Sequence, residues 1–463
     1  MTAACVFPFL SSSGFIANHV HLVTPEWKTL FEHLADSAVS GLLITALIFA
    51  AIAFFLEKIT AALQRVVARD SKSFLTTLLG VGVFVRSMYL TAFSNSPWSD
   101  QLWYHQRAVQ MAEGFGYIGN DGRPTAYYPA GYPAFLAMVY RILGADPEAA
   151  KYMNVALGIA TIAIVYWGTK KYFNRRVAAV AAIIMTASLS QIAYADTLFS
   201  EITFSFVFVA AIFLSLKLLS GGQNETAAFA SWGVLLGIAC LIRPVAIILA
   251  PAMVVALWRE KRSLRNFAMP FAAAMVCFIL VLAPNAIRNY KVFHAIVPIS
   301  TNGGIDFQIG NNPNSRGHYM GMPDIPEGVS EAGASTRGYR EGLSWIAWHP
   351  FDAFVNEGRK LFYLYARDDE GTLFSMSNIP DVTLWAMAIP VFVFTDLGYY
   401  CILALAIAYV WRKRRSLSQN EYFFAAVWVL TTLFYLAFFG SDRFHFPLYA
   451  IFCVFAAKAV EEM

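Results

Sequence analysis

The chain has 463 residues, 58% of them hydrophobic and 14% charged, with a mean hydropathy of +0.53 and a formal net charge of +4. Soluble domains carry about 25% charged residues, so the deficit excludes an ordinary soluble protein, and apolar runs of roughly 16–22 residues point to a polytopic helical membrane protein. The small net charge, without a basic stripe or a nucleic-acid motif, excludes a nucleic-acid partner.

In chain order the apolar runs occupy 38–56, 74–94, 149–168, 177–194, 202–219, 227–242, 245–258, 267–282, 397–410, 422–439 and 446–460, giving about eleven transmembrane helices. The run 384–394 reads either as a further helix or as the outer part of the ninth span. Basic clusters at 58–72, Lys170-Lys171 with Arg175-Arg176, 259–265 and 412–415 alternate with the spans and mark the cytoplasmic side. The long segments 95–148 and 285–381 then face outward, as does the N-terminal end. Residues 1–73 read as an extension with one extra transmembrane helix, and 74–463 as one membrane domain. The first residues lack a basic n-region, against a cleaved signal peptide. Of Cys5, Cys240, Cys277, Cys401 and Cys453, four lie in apolar runs without metal or redox spacing and read as small core residues.

Two interfacial helices are expected in the first outer loop. One starts with Ser99 or Asp100 as N-cap and ends at Gly114. The other follows Gly131-Tyr132, carries Pro133 in its first turn and ends at Gly144; it is too short to span and apolar enough to lie in the interface plane. In the larger second loop, Thr301-Asn302-Gly303-Gly304 and Gly310-Asn311-Asn312-Pro313-Asn314 read as tight turns. Beyond His349-Pro350, an amphipathic helix is expected to turn Phe354 and Leu361 inward and Arg359-Lys360 toward headgroups, closing the site from above.

Asp100 followed by Tyr104-His105, Ala108 and Glu113-Gly114-Phe115-Gly116-Tyr117, then Tyr128-Pro129-Ala130-Gly131-Tyr132-Pro133, resembles the first-loop signature of GT-C glycosyltransferases. More narrowly, it resembles the branch of protein O-mannosyltransferases, lipid A aminoarabinose transferases and galacturonosyltransferases. Thr197-Leu198-Phe199-Ser200-Glu201, Leu241-Ile242-Arg243-Pro244, Pro284-Asn285 through Arg288-Asn289-Tyr290 and Arg443-Phe444-His445-Phe446-Pro447 are similar to later family segments in the same order. The resemblance covers about residue 74 to the C-terminus and implies an all-α GT-C-like bundle. It also implies a membrane enzyme that moves a sugar from a polyprenyl-phosphate donor to an acceptor with inversion. It implies a glycan, glycolipid or protein acceptor and a site on the extracytoplasmic side; a bacterial inner membrane is expected, with the endoplasmic reticulum membrane the open alternative.

Such chemistry needs a base for the acceptor hydroxyl and a cation or hydrogen-bond donors for the departing phosphate. The resemblance puts the catalytic Asp at Asp100; the alternative is a helix cap. The family often shows Asp-Glu here, whereas Gln101 follows Asp100 in this chain. Tyr104, His105, Tyr128 and Tyr132 are candidates to line the sugar or lipid groove, or else anchor at the interface. Arg243, Arg288, Lys360 and Arg443 are candidates for the phosphate, with His445 beside Arg443; each could instead be a snorkelling anchor. Glu201 either faces substrate or pairs with Arg243 or Arg288. Asp196 and Glu201 give no metal spacing, so no cofactor is required and a divalent ion is the lesser alternative. The competing class is a transporter or flippase of lipid-linked saccharides, which would place charge at mid-membrane and show two related halves.

Overall fold

A computed structural model describes residues 71–93, 95–221, 225–259, 264–377 and 382–463. The chain divides into two units, Met1–Phe74 and Leu75–Met463, and the second is described below. The expected first span, 38–56, lies outside the described residues, as do part of the basic cluster at 259–265 and the end of the second outer loop near residue 381.

Every other apolar run folds as helix. The elements are α1 Ser71–Ala92, α2 Asp100–Glu113, α3 Gly131–Leu143, α4 Pro147–Tyr172, α5 Arg175–Ala187, α6 Leu189–Ala193, α7 Glu201–Ser220, α8 Glu225–Ile242 and α9 Leu249–Arg259. They continue with α10 Leu264–Phe293, α11 Asn302–Gly310, α12 Glu331–Trp348, α13 Pro350–Tyr365, α14 Glu370–Met376, α15 Val382–Lys413, α16 Gln419–Leu436 and α17 Tyr449–Glu461. Among the described residues, six helices are long and apolar enough to cross a membrane, or seven when α5 and the segment from α6 to Asp196, bent by 58°, count as one span. The chain is a multi-pass membrane protein, and its described residues form an all-helical bundle.

Burial separates centre from periphery. The most apolar windows of Glu201–Ser220 and Asp442–Glu461 are 78% buried within the protein, against 17% for Ala268–Phe293 and Ile389–Lys413. The central helix α7 packs on α4 and α8, and α17 packs on α5 and α15. The outer helices keep apolar side chains such as Ile279 and Leu280 exposed, as a lipid-facing surface requires.

One boundary differs from the sequence reading, and one open alternative is decided. Helix α10 continues through Pro284 to Phe293, so Arg288 and Asn289 ride on a helix rather than a loop. The run 384–394 belongs to α15 and is continuous with the ninth span. The basic ends of the helices converge: Asn420 donates to the Tyr172 carbonyl (3.0 Å), Arg259 to the Leu417 carbonyl (2.8 Å) and Lys413 pairs with Glu462 (2.9 Å). The 100–128 segment, Glu201, Arg243 and the turn at Arg443 gather at the opposite end.

Of the two Gly-rich clusters of the second loop, 310–314 turns as expected, with the Ser315 N–H donating to the Asn312 carbonyl (3.0 Å), and the other does not. Asn302–Gly310 is helix α11, crossing α12 at glycines: a Cβ on Gly304 would lie 1.9 Å from the Ser335 carbonyl oxygen, and one on Gly338 2.2 Å from that of Gly304. Tertiary packing here overrides turn propensity. Gly304→Leu is expected to push the helices apart and lower stability by about 1–3 kcal/mol or more, read as a lower melting temperature of purified protein. An unchanged melting temperature would show that the crossing yields without strain.

Candidate active site

The site is built around the start of α2. Ser99 occupies the N-cap position with φ 52° and ψ −131°, and its side chain makes no cap bond. A non-glycine residue in this region stores on the order of 1–3 kcal/mol of strain. Asp100 is the first helical residue, and its carboxylate is committed elsewhere than to capping. One oxygen accepts from the Tyr128 hydroxyl (3.1 Å) and the other from Arg443 Nη1 (3.1 Å). The capping alternative for Asp100 is thereby set aside.

Arg443 sits in a short 3₁₀ turn, Asp442–Phe444, where the chain enters α17. Its Nε donates to Glu201 Oε1 at 2.8 Å, and its guanidinium lies 4.0 Å from the centroid of the Phe199 ring. The same Glu201 oxygen accepts from Arg243 Nη2, while Arg243 Nε donates to Ser200 Oγ (2.9 Å). Arg243 stands where α8 ends and a 3₁₀ turn begins at Pro244. Both arginines therefore project from helix breaks. Exposure grades the cluster: the side chain of Glu201 is wholly buried, that of Arg443 13% exposed and that of Asp100 32% exposed. Glu201 thus anchors two cations from behind, and Asp100 is the member open to a reactant.

Behind Arg443, Glu370 Oε1 stands 3.8 Å from Nε, and Glu370 Oε2 accepts from Ser441 Oγ (2.9 Å). Burial and the neighbouring Asp442 carboxylate hold the Glu370 carboxyl well above the usual range. Aromatic rings pack around the start of α2. Tyr104 lies 5.4 Å from Tyr128 and edge-on to Tyr132 at 5.0 Å, and Trp103 is edge-on to Tyr128 at 4.9 Å.

Gln101, which stands where the family often shows a second acid, is buried, and its Oε1 accepts from the Leu198 backbone N–H at 2.9 Å. It fastens α2 to the segment that presents Phe199, Ser200 and Glu201. A carboxylate there would accept the same bond while adding a buried charge.

The structure does not bring the remaining candidates into this cluster. His105 Nδ1 bonds the Tyr140 hydroxyl (2.9 Å) on α3. Tyr132 is fully buried beneath Tyr104. Arg288 donates to the backbone carbonyls of Tyr117 and Thr125, each at 2.6 Å, and so holds the first loop in place. Lys360 is fully buried and donates to Asn311 Oδ1 (2.8 Å), Glu357 Oε1 (2.7 Å) and the Leu436 carbonyl (2.9 Å). Its donors are used inside the protein, so it does not reach toward headgroups. On the same helix α13, Phe354 and Leu361 face outward rather than inward. The buried His445 ring bonds the Leu364 carbonyl (2.6 Å) and Asp368 (3.1 Å). His105, Arg288, Lys360 and His445 sit at tertiary joints that sequence order does not reveal.

Asp306 on α11 was not singled out in the sequence. It accepts from Asn302 Nδ2 at 2.7 Å, and burial, with the Asp100 charge adding to it, pushes its carboxyl up to about 7. Its Gly-rich surroundings gave only a turn signal. A folded-state pKa above the unfolded value near 3.9 means the folded form holds its proton longer. Stability contributed by this group is then lost as pH rises through roughly 4 to 7. Asp306→Asn is expected to flatten that fall in melting temperature; an unaltered pH profile would place Asp306 in contact with water.

The second outer acid, Asp196, is also committed: it is buried and pairs with the buried Lys151 at 3.0 Å. Among the described residues, no group of three or more His, Cys, Asp or Glu side chains is arranged to hold a metal ion.

A family model described as dolichyl-phosphate-mannose-protein mannosyltransferase matches residues 128–287. A search of curated proteins gave no match. Among solved structures, the fold is similar to oligosaccharyltransferase AglB from Archaeoglobus fulgidus, solved with an inhibitory peptide and a dolichol-phosphate (TM-score 0.51, 15% identity, covering 84% of this chain and 50% of that one). It is likewise similar to the oligosaccharyltransferase of the same organism in complex with zinc and sulfate (TM-score 0.51, 16% identity, 82% and 48%). A further match is ArnT from Cupriavidus metallidurans bound to undecaprenyl phosphate (TM-score 0.41, 14% identity, 85% and 78%). The chain spans about half the length of the oligosaccharyltransferase chains it matches. The matched segment takes in the Tyr128, Glu201 and Arg243 motifs of the resemblance, while Asp100 and Arg443 lie outside it; at these identities the solved structures bear out the fold.

Proposed function

From this GT-C fold as premise, we propose that the chain is a glycosyltransferase that moves a sugar from a polyprenyl-phosphate donor to an acceptor, with inversion at the anomeric carbon. The observation that carries the reading is the Asp100–Arg443–Glu201 array: an open carboxylate tied to a guanidinium that is itself anchored by a buried carboxylate. The basic helix ends converge away from this array, which by the positive-inside rule supports an extracytoplasmic site.

The acceptor hydroxyl attacks the anomeric carbon on the face opposite the phosphate, and the bond from that carbon to the phosphate oxygen breaks. The hydroxyl proton passes to Asp100. The departing polyprenyl phosphate keeps the bonding electron pair, and Arg443 takes up its charge with paired N–H donors. Protonation of Asp100 removes one anionic partner from Arg443 as the phosphate gains charge, so the guanidinium stays neutralised throughout. A single displacement inverts configuration. Tyr128 orients the carboxylate, and the buried Tyr104 ring packs behind it.

Fixed cations serve where a divalent ion would be expected: Lys151 neutralises Asp196, and Arg443 neutralises Asp100. Turnover is expected to stay within about twofold in excess EDTA, since no step relies on a metal as Lewis acid; abolition by EDTA with rescue by a divalent salt would contradict this. The reading itself is tested with purified protein in liposomes carrying a panel of polyprenyl-phosphate hexoses and pentoses together with cell-envelope extract. Release of polyprenyl phosphate coupled to sugar incorporation is the expected result. Movement of intact donor across the bilayer without cleavage would contradict it and favour the transporter class.

A further inference from the structure

The outward side of the second loop carries a groove that the proposed reaction does not use. It has a volume of about 550 Å³ and is lined by Arg316, Val355, Gly358, Arg359, Phe362 and Tyr363. Its floor is tightly built. Gly317 has φ +87°, a Cβ there would lie 2.6 Å from Arg359 Cβ, and the Gly317 carbonyl accepts from the Gly440 N–H at 2.8 Å. The next residue, His318, packs its ring on Tyr363 at 4.5 Å.

Two features give the groove a chemistry. Arg316 and Arg359 are exposed and, among the described residues, neither makes a hydrogen bond or ion pair with a carboxylate. The acid two residues before Arg359, Glu357, is held by Lys360. The groove is also continuous with an apolar stripe. Phe351, Val355, Gly358 and Phe362 follow one face of α13 at helical spacing, and Phe351 and Phe354 are each 76% exposed. An apolar helix face with arginines at its border lies at the headgroup level of a bilayer.

We propose that this groove binds the phosphate headgroup of an anionic lipid, with Arg316 and Arg359 on the oxyanion and Phe351 and Phe354 among the acyl chains. Charge complementarity selects an anion, and the aromatic stripe selects one attached to a lipid rather than a free phosphate.

The test is native mass spectrometry of protein extracted from nanodiscs of phosphatidylcholine with a fifth of phosphatidylglycerol, a readout independent of sugar transfer. Wild type is expected to retain phosphatidylglycerol preferentially, and Arg316→Ala with Arg359→Ala to lower that retention by about tenfold. The pair Arg316→Lys with Arg359→Lys keeps the charge and should retain most of the preference, with melting temperatures confirming that each variant folds. Equal retention by wild type and the alanine pair would overturn the proposal. So would displacement of the lipid by millimolar inorganic phosphate, which would assign the groove to a soluble anion.

Discussion

Replacing Asp100 with Asn is expected to lower turnover by about 10²–10⁴-fold, the range a positioned general base supplies. Donor binding should be retained or slightly tighter. The amide oxygen can still accept from Tyr128, so the local geometry survives, but the change withdraws an anion that competes with the donor phosphate for Arg443. The effect should therefore fall on the chemical step and not on the Michaelis constant. Single-turnover kinetics with separately measured donor affinity would show this. Normal turnover in the variant would remove Asp100 as the base; loss of donor binding with an unaltered chemical step would make it a positioning residue.

Glu201→Gln should be the most damaging single change for both stability and activity. The Glu201 carboxylate is wholly buried and neutralises Arg243 and Arg443 together. Removing one partner from a buried ion cluster costs about 3–5 kcal/mol, because the remaining charges keep their desolvation penalty. A sharply lower melting temperature and loss of turnover are expected. Arg443→Lys separates the two effects: it keeps the charge, but one ammonium lacks the planar fork that reaches Asp100 and Glu201 at once. That variant should fold yet lose at least about 10²-fold in turnover. Near-normal activity in Arg443→Lys would mean that the bridge is structural only.

The apolar runs were legible as helices because membrane burial demands long apolar stretches, but of the roughly eleven spans read from hydropathy, six or seven described helices are long and apolar enough to cross, Thr226–Ile242 and Pro244–Arg259 being shorter. The helix starts and stops of the first outer loop were legible from turn chemistry: Gly114 and Gly144 end α2 and α3 as their positions suggest. Asp100, Glu201, Arg243 and Arg443 stood in recognisable motifs far apart in the chain, and the fold joins them in one network. Sequence could not say that Lys360 and His445 turn inward, since a helix-borne cation can snorkel or be buried, and only the acceptors supplied by Asn311, Leu436 and Asp368 decide which. Asp306 was missed for a related reason. Its segment reads as a turn, and it becomes a helix only because Gly304 lets α11 and α12 approach closely.

The most direct test of the central claim is a structure of Asp100→Asn protein with a polyprenyl-phosphate sugar trapped before transfer. The expected result places the phosphate against the Arg443 guanidinium, with the anomeric carbon facing residue 100 and the prenyl chain leaving between helices into the bilayer. A lipid held instead in a cavity open to both membrane faces, away from Arg443, would contradict the account and favour a carrier of lipid-linked saccharides.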